Sequence, residues 1–348
     1  MIITILCFLL ILTVIVSIHE FGHFLFAKKA GIYVYEFSIG MGPRLFKFKR
    51  KNDETEYSIR LLPIGGYVQM AGETDEVDEK IPKEKNMQNK TWIQRFFVII
   101  AGIMFNFILA IVILFIVGLA TNSPETTTIV TGIETNSPAY NAGMVDGDKI
   151  VVINNIKVNN ADRLQLELAV LNGKSVDFKV IDKNNNEKVV KVTPEKIVQG
   201  DKTAYKYGFG LKNVNHKGFI EAIKYAFLKF GSLIVQMFLT IWYLITGKVS
   251  LSNLSGPIGI YSIVEQSTEL GFINVIYLMG YLSLNVGVMN LLPVPALDGG
   301  RLLFLFIEKI KGSPLNPKYE TIINNIGFFL LMALIIAVSY NDILRLFK

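Results

Sequence analysis

The sequence predicts an α-helical membrane protein with about four transmembrane helices, a β-hairpin after the first helix and an inserted mixed α/β domain. Three observations support this prediction. Of the 348 residues, 51% are hydrophobic and 18% are charged, whereas a soluble domain has about 25% charged residues. Four apolar stretches are long enough to cross a bilayer. Charges of both signs and short β-branched runs return together between residues 121 and 215.

The predicted transmembrane helices follow from apolar length. Lipid offers no hydrogen-bond partner to the backbone, so a spanning helix needs about 20 mostly apolar residues. We assign the four helices to residues 1–27, 96–120, 271–307 and 321–341. The first has no basic start and no small-residue cleavage site before Lys28, so we expect a retained helix rather than a signal peptide.

Basic residues set the expected orientation. Lysines and arginines crowd the segment after the first helix, and cytoplasmic loops of membrane proteins carry such an excess. We therefore expect residues 28–95 and the loop 308–320 in the cytoplasm, and residues 121–215 outside it. The net charge of +6 forms no dense basic stripe interleaved with aromatics, so we expect the lipid bilayer and no nucleic acid as a partner. The single cysteine, Cys7, excludes an intramolecular disulfide and a cysteine-based metal site.

One further apolar run is ambiguous in length. Phe230 to Gly247 has 18 uncharged residues and follows the amphipathic stretch Glu221 to Lys229. By length alone it barely spans a bilayer, whereas an amphipathic helix can lie in the interface. We expect an interfacial helix and a linker over residues 216–270.

The segment after the first helix predicts a β-hairpin over residues 33–70. Apolar and polar residues alternate in 44–49 and again in 56–61, and glycine-rich turns lie at 39–43 and 63–67. Such a hairpin exposes an edge to which an extended peptide can add. The alternative is a solvated cytoplasmic loop. The charged residues that follow, 73–90, predict a connector.

The motif His19-Glu20-Phe21-Gly22-His23 carries the chemistry. On a helix, the four-residue spacing puts both imidazoles on one face, where they can share a Zn²⁺ ion. Glu20 points off that axis and can act as the general base on water activated at the metal. Ionisable side chains near the end of an apolar helix are costly unless they bind something, so we interpret them as functional.

A catalytic zinc site usually has three protein ligands, so one more is needed. The third histidine, His216, lies at the edge of the inserted domain, which leaves a carboxylate. Asp298 ends an apolar stretch and is our candidate. If the run 230–247 does not cross the bilayer, the first and third helices run in the same direction and bring Asp298 to the depth of His19 and His23.

Two prolines precede Asp298. Pro293 and Pro295 remove backbone donors and should unwind the third helix just before the metal. Irregular backbone at that depth is tolerated where it lines a cavity or is buried in protein. Asn290 then either hydrogen-bonds a substrate or satisfies the broken helix itself.

The inserted segment 121–215 predicts a small domain of short strands. Ser137 to Ile150 resembles the helix and turn of bacterial PDZ domains. Tyr207 to Leu211 resembles their carboxylate-binding loop, in which the backbone of Gly208, Phe209 and Gly210 would hold a peptide C-terminus. An ordinary closing strand is the alternative for that loop.

The motifs 19–23, 137–150, 254–260 and 290–300 together resemble the site-2 protease family of intramembrane zinc metalloproteases in its bacterial form. The resemblance covers nearly the whole chain in the expected order. It implies a multi-pass protein of the bacterial cytoplasmic membrane, an extracytoplasmic PDZ domain, and a hairpin that enters the membrane and holds the substrate extended. The single PDZ-like domain departs from the tandem pair of the best-known member, so rules based on two domains do not transfer.

The resemblance also implies a reaction and its partners: one Zn²⁺ ion, and substrates that are single-span membrane proteins already cut outside, such as anti-sigma factors or signal-peptide remnants. We assign substrate contacts on the hairpin and at the broken helix to Ser58, Ile59, Gly65, Gly66, Asn290 and Pro293. A catalytically inactive, PDZ-bearing scaffold or receptor is the alternative function. The intact set of Glu20 and three candidate ligands argues against it.

Overall fold

The computed structural model describes residues 2–73, 80–199, 202–250 and 254–346. Met1 at the start of the first predicted helix, 74–79 in the connector, 200–201 in the inserted domain and 251–253 in the linker lie outside the described residues. The described residues form two compact units, those of 2–113 with 254–346 and those of 114–250.

Among the described residues, five helices are long and apolar enough to cross a membrane. They are α1 (Ile2–Lys29), α2 (Trp92–Thr121), α5 (Phe219–Ile245), α7 (Phe272–Leu291) and α9 (Pro317–Leu346). Four of them correspond to the four predicted spans, and the fifth contains the ambiguous run. The remaining α-helices are shorter: α3 (Pro138–Asn141), α4 (Ala161–Leu171), α6 (Pro257–Glu269) and α8 (Asp298–Lys311).

Helices α1 and α7 run in the same direction, and α2 runs opposite to both. Helix α1 is antiparallel to α2, because His23 lies against Val98 and His19 lies against Asn106 further along α2. Helix α7 is also antiparallel to α2, because Gly280 lies against Ile113 and Gly287 lies against Phe107. The C-terminal ends of α1 and α7 therefore reach the same level, as the proposed metal site requires.

The predicted third span is not one continuous helix. Helix α7 ends at Leu291, Leu292 is extended, and α8 (Asp298–Lys311) begins six residues later. Pro293 and Pro295 cannot donate backbone hydrogen bonds, and Ala296 adopts a left-handed φ of 72°. The break before Asp298 is thus confirmed, whereas the assignment of 271–307 to a single helix is wrong.

The hairpin folds into a more complex sheet than predicted. Strands β1 (Val34–Lys49) and β2 (Glu56–Met70) each bend at a glycine with positive φ, Gly40 at 87° and Gly65 at 81°. Because both strands bend, residues 36–39 of β1 lie between two parts of β2, residues 56–59 on one side and 66–69 on the other. Residues 56–59 also pair with 46–49 on their other side. The segment 56–59 is therefore inside the sheet, and 66–70 lies at one margin.

The predicted connector contains short 3-10 turns at Lys83–Lys85 and Met87–Asn89. The second turn packs onto the sheet, because Met87 N–H donates to Ala71 O at 2.8 Å.

The second unit contains the inserted domain, and its strands agree with the β-rich prediction. Its strands are β3 (Pro124–Thr131), β4 (Lys149–Ile153), β5 (Ile156–Lys157), β6 (Val176–Ile181), β7 (Glu187–Val192), β8 (Glu195–Gln199), β9 (Lys202–Lys206) and β10 (Gly210–Asn215). The main sheet has the order β10-β3-β4-β6-β7, with β5 paired to β4, and β8 and β9 form a separate hairpin. The helices α3 (Pro138–Asn141) and α4 (Ala161–Leu171) complete it, and Phe178 is fully buried in the core.

Helix α5 belongs to the same unit and packs along α4 through polar contacts. Lys229 Nζ lies 2.7 Å from Asp162 Oδ1, and the Tyr243 hydroxyl donates to Glu167 Oε1 at 2.6 Å. The amphipathic stretch and the apolar run are thus one continuous helix of 27 residues. The expected linker also contains a helix, α6 (Pro257–Glu269). Pro257 lies in its first turn and is a helix-start signal that the linker assignment overlooked.

Candidate zinc site

The first part of the site is a regular helix. His19 and His23 lie one turn apart on α1 and are 8% and 6% exposed. Helix α2 approaches this face closely because the contact residues are glycines. A Cβ on Gly22 would lie 2.5 Å from Ala101 O, and a Cβ on Gly102 would overlap His23 Nε2. The sequence therefore places both imidazoles in a tight groove between α1 and α2.

The second part is the irregular segment that carries Asp298. Ala296 N–H donates to Asn324 Oδ1 of α9 at 3.1 Å. Gly327, one turn further along α9, packs so closely that an added Cβ would lie 2.6 Å from Pro295 O. At the start of α8, Gly299 leaves no room for a Cβ beside Leu292 O. Asp298, the first residue of α8, is thus positioned by tertiary contacts that lie on either side of it in the chain.

The two parts meet in a triangle of three donor atoms. Asp298 Oδ2 lies 3.0 Å from His19 Nε2 and 3.2 Å from His23 Nε2, and the two Nε2 atoms are 3.1 Å apart. Ligands on a tetrahedral zinc are separated by about 3.3 Å, given metal–ligand bonds of about 2.0–2.1 Å. Asp298 Oδ2 is buried without a hydrogen-bond partner. The orphaned oxygen and the matching separations fit one Zn²⁺ ion.

The predicted base lies beside this triangle. Glu20 Oε2 accepts a hydrogen bond from Val68 N–H at 3.1 Å. Glu20, the three candidate ligands, Val68 and Met70 line one cavity of about 140 Å³. A water occupies about 30 Å³ in the liquid, so the cavity has room for water next to the carboxylate.

The margin of the sheet therefore faces the candidate site. The N–H of Val68 points away from β1 and toward α1, which shows that 66–70 turns its unpaired side to Glu20. Gly66 lies in the same segment and pairs with Ile39. Gly65, just before it, provides the bend.

The expectation of a free edge at Ser58 and Ile59 is wrong. Ser58 pairs with both Ser38 and Lys47, and Ile59 pairs with both Ile39 and Phe46. The Ser58 hydroxyl is occupied as well, since it donates to the buried Glu36 carboxylate at 2.5 Å. The alternation that predicted this strand carries no information on how many neighbours it has.

The other assigned residues do not line the cavity at the metal triangle. Asn290 is in the last turn of α7 and Pro293 in the segment after it, and neither lines the 140 Å³ cavity. In the second unit, Gly208 has a φ of 85°, and the Phe209 ring packs edge-on against Phe178 in the domain core.

Two residues near the site were missed from the sequence. Asn106 is fully buried and lies 3.2 Å from His19 Nδ1. A polar residue inside an apolar span is a known signal of function or pairing, and Asn106 is the only asparagine of α2. Arg301 of α8 lines the cavity and forms a 2.5 Å ion pair with Glu73.

The chain is similar to known zinc metalloproteases over nearly its whole length. Residues 7–334 match Peptidase family M50. The chain is 35% identical to the zinc metalloprotease RasP of Shouchella clausii, over 99% of this chain and 100% of that protein. It is 36% identical to a putative zinc metalloprotease of Clostridium perfringens, over 97% of each. It is 33% identical to the regulator of sigma-W protease RasP of Bacillus subtilis, over 99% of each.

Proposed function

Because the chain belongs to peptidase family M50, the site-2 protease family of zinc metalloproteases, we propose that it hydrolyses peptide bonds within the membrane-spanning segments of single-span membrane proteins. It is a multi-pass membrane protein, and Zn²⁺ is its cofactor. The observation that carries the proposal is the triangle of His19, His23 and Asp298 beside Glu20. Both histidines and Glu20 lie on a helix that is long and apolar enough to cross a bilayer.

The proposed chemistry divides between these four side chains. His19, His23 and Asp298 would hold the ion, which when bound supplies a Lewis acid for the scissile carbonyl and for water. Glu20 would take the proton of the attacking water and deliver it to the leaving amide nitrogen. The separate hydrogen bond from Val68 N–H supports this role, because it fixes the Glu20 carboxylate at the cavity without making it a ligand.

The substrate is proposed to lie along the sheet margin 66–70. A peptide bond inside a transmembrane helix is protected by its own hydrogen bonds, and each backbone group freed in lipid costs several kcal/mol without a new partner. Strand addition supplies such partners without reading side chains. Residues 66–70 replace Ser58 and Ile59 in this role, because Val68 and Met70 line the cavity and β1 pairs with one side of this segment. The Val68 N–H donates to Glu20, so the substrate strand would pair with the other outward-facing backbone groups of the segment.

Helix α5 is proposed to lie in the membrane interface. Helices α2 and α7 are antiparallel, so α2 ends on the side of the membrane where α7 begins. The segment that joins them therefore crosses the bilayer an even number of times, and zero is one such number. Helix α6 has 13 residues and is about 20 Å long, shorter than the hydrocarbon core of about 30 Å. Helix α5 thus has no second crossing to pair with among the described residues.

From the same count of crossings, we propose that the inserted domain lies on the side of the membrane where α1 begins. With the basic segment after α1 in the cytoplasm, this PDZ-like domain is extracytoplasmic in the bacterial cell membrane. Anti-sigma factors and signal-peptide remnants, already cut outside, are the proposed substrates. The name of the Bacillus subtilis relative, a regulator of sigma-W protease, supports the first of these.

The reaction is tested with a Glu20→Gln enzyme. We expect normal zinc content and a loss of cleavage of about 100-fold to 10,000-fold, the usual contribution of a general base. The variant should accumulate uncleaved single-span proteins, which mass spectrometry of co-purified membrane proteins would identify. Near-normal turnover of a single-span substrate by this variant would contradict the assignment of Glu20.

Substrate binding along the sheet margin is tested by cross-linking in a Cys7→Ser, Glu20→Gln background. Val68→Cys and Met70→Cys are two residues apart and line the same cavity. Paired strands bring opposite Cβ atoms to about 5 Å, so each should form a disulfide with one substrate position, and the two partner positions should be two residues apart. Ile59→Cys is the control inside the sheet. If Ile59→Cys formed disulfides with the substrate as strongly and at equally defined positions, residues 66–70 would not be the binding strand.

A further inference from the structure

In its present orientation, the Asn106 amide makes a contact with His19 that is incompatible with metal binding through His19 Nε2. Its amide nitrogen Nδ2 lies 3.2 Å from His19 Nδ1, and its amide oxygen Oδ1 is buried without a partner. The residue is 0% exposed.

The other imidazole shows which hydrogen-bond polarity the site requires. His23 Nδ1 donates to the backbone oxygen of Val98 at 2.8 Å, which leaves its Nε2 as an acceptor facing Asp298. A neutral imidazole carries one N–H, so a histidine that binds metal through Nε2 must carry its proton on Nδ1. His19 also turns Nε2 toward Asp298, and its Nδ1 must therefore be a donor too.

A donor at His19 Nδ1 needs an acceptor, and Asn106 Nδ2 is also a donor. A rotation of the amide by 180° exchanges its nitrogen and oxygen, which are nearly indistinguishable in shape. Oδ1 then accepts the His19 Nδ1–H, and a donor–donor contact becomes a hydrogen bond.

We propose that Asn106 is a positioning residue of the zinc site, whose amide oxygen accepts the His19 Nδ1–H and so directs His19 Nε2 to the metal. Each imidazole then donates its Nδ1–H to an oxygen, His23 to the backbone of Val98 and His19 to the side chain of Asn106. Outer contacts of this kind orient a ligand histidine, fix its tautomer and raise its basicity. Because the Val98 contact is made by the backbone, the His19 contact is the one that a substitution can remove.

The test compares the zinc affinity of two variants with nearly the same side-chain size, purified in detergent and titrated against a competing chelator. Asn106→Leu has no acceptor, and we expect its zinc affinity to fall by about 10-fold to 100-fold. Asn106→Asp restores an acceptor and should bind zinc within about threefold of the wild type. The visible spectrum of the Co²⁺-substituted proteins reports ligand geometry and should change in the leucine variant only.

Ser283→Ala is the matched control, since the Ser283 hydroxyl donates to the backbone oxygen of Asn106 at 2.9 Å and not to its amide. It should leave zinc affinity unchanged. Wild-type affinity in Asn106→Leu overturns the proposal. So does an equal loss in the leucine and aspartate variants with unchanged thermal unfolding of the chelator-treated proteins, because that pattern indicates packing rather than a hydrogen bond.

If the aspartate variant does not fold, nitrogen-15 NMR of the zinc-loaded wild type decides the question. The protein has three histidines, which makes their ring signals assignable. A hydrogen-bonded proton on His19 Nδ1 supports the proposal, and an unprotonated Nδ1 overturns it. The inference rests on the proposed ligand set, which His19→Ala tests separately: full zinc retention there refutes the ligand set, whereas loss there with retention in Asn106→Leu refutes only the role of Asn106.

Discussion

The two parts of the candidate zinc site obtain their geometry in different ways. The helix part, His19 and His23 on α1, is fixed by a regular backbone packed against α2 through Gly22 and Gly102. The loop part, Asp298, follows a broken helix and depends on contacts from α9, a helix that is mostly exposed in the protein itself. A substitution that displaces the helix part moves the ligand atoms directly. A substitution that displaces the loop part can be accommodated by a movement of α9 before it shifts Asp298.

The largest effect is expected when a ligand is removed from either part. His19→Ala and Asp298→Ala each leave two protein ligands, where a catalytic zinc needs three. Both variants should lose zinc in elemental analysis and lose cleavage together. Full zinc retention in Asp298→Ala would remove the loop part from the metal site.

The next largest effect is expected from crowding the helix part. In Gly102→Ala, the new methyl group would overlap His23 Nε2 and lie 2.8 Å from His19 Cε1. Overpacking costs about 1–3 kcal/mol, and here it falls on the ligand atoms, so zinc affinity should drop by about 10-fold to 100-fold. Chelator competition measures this. Gly231→Ala on α5, which has open space around it, is the control and should bind zinc normally.

Crowding the loop part should have a smaller effect. In Gly327→Ala, the methyl group would meet Pro295 at 2.6 Å, but α9 can move outward because little of it is buried. Alanine also favours the helix over glycine by about 1 kcal/mol. We expect zinc affinity to fall by less than about 10-fold. A loss equal to that of Gly102→Ala would show that the loop part is as rigid as the helix part.

The smallest effect is expected from Asn324→Leu, which removes the acceptor of the Ala296 N–H. A single hydrogen bond contributes about 1 kcal/mol, so zinc affinity and cleavage should each fall by about fivefold. Asn325→Leu is the matched control, since Asn325 is the exposed neighbour on the same helix. Equal losses in both variants would mean that polarity of α9, rather than the contact with Ala296, supports the loop.

Much of this site was predictable because it depends on local pattern. The spacing of His19 and His23 fixes their common face on any helix, and Pro293 and Pro295 must interrupt one. Apolar length identified α1, α2 and α9, and the β-branched runs between residues 121 and 215 identified a domain of short strands. The start signal of α6, Pro257, was equally local and was overlooked.

The sequence by itself determined the chemistry: which side chains can bind zinc, which one can act as base, and where a helix breaks. Only the tertiary structure decided which surfaces these groups meet. The sheet buries Ser58 between two neighbours and turns Val68 toward Glu20, and α2 places Asn106 against His19. Strand alternation and helix periodicity record which face of an element is apolar, but they do not record which distant segment covers it. That choice is made by long-range pairing, which brings residues such as Glu20 and Val68 together across 48 positions of the chain.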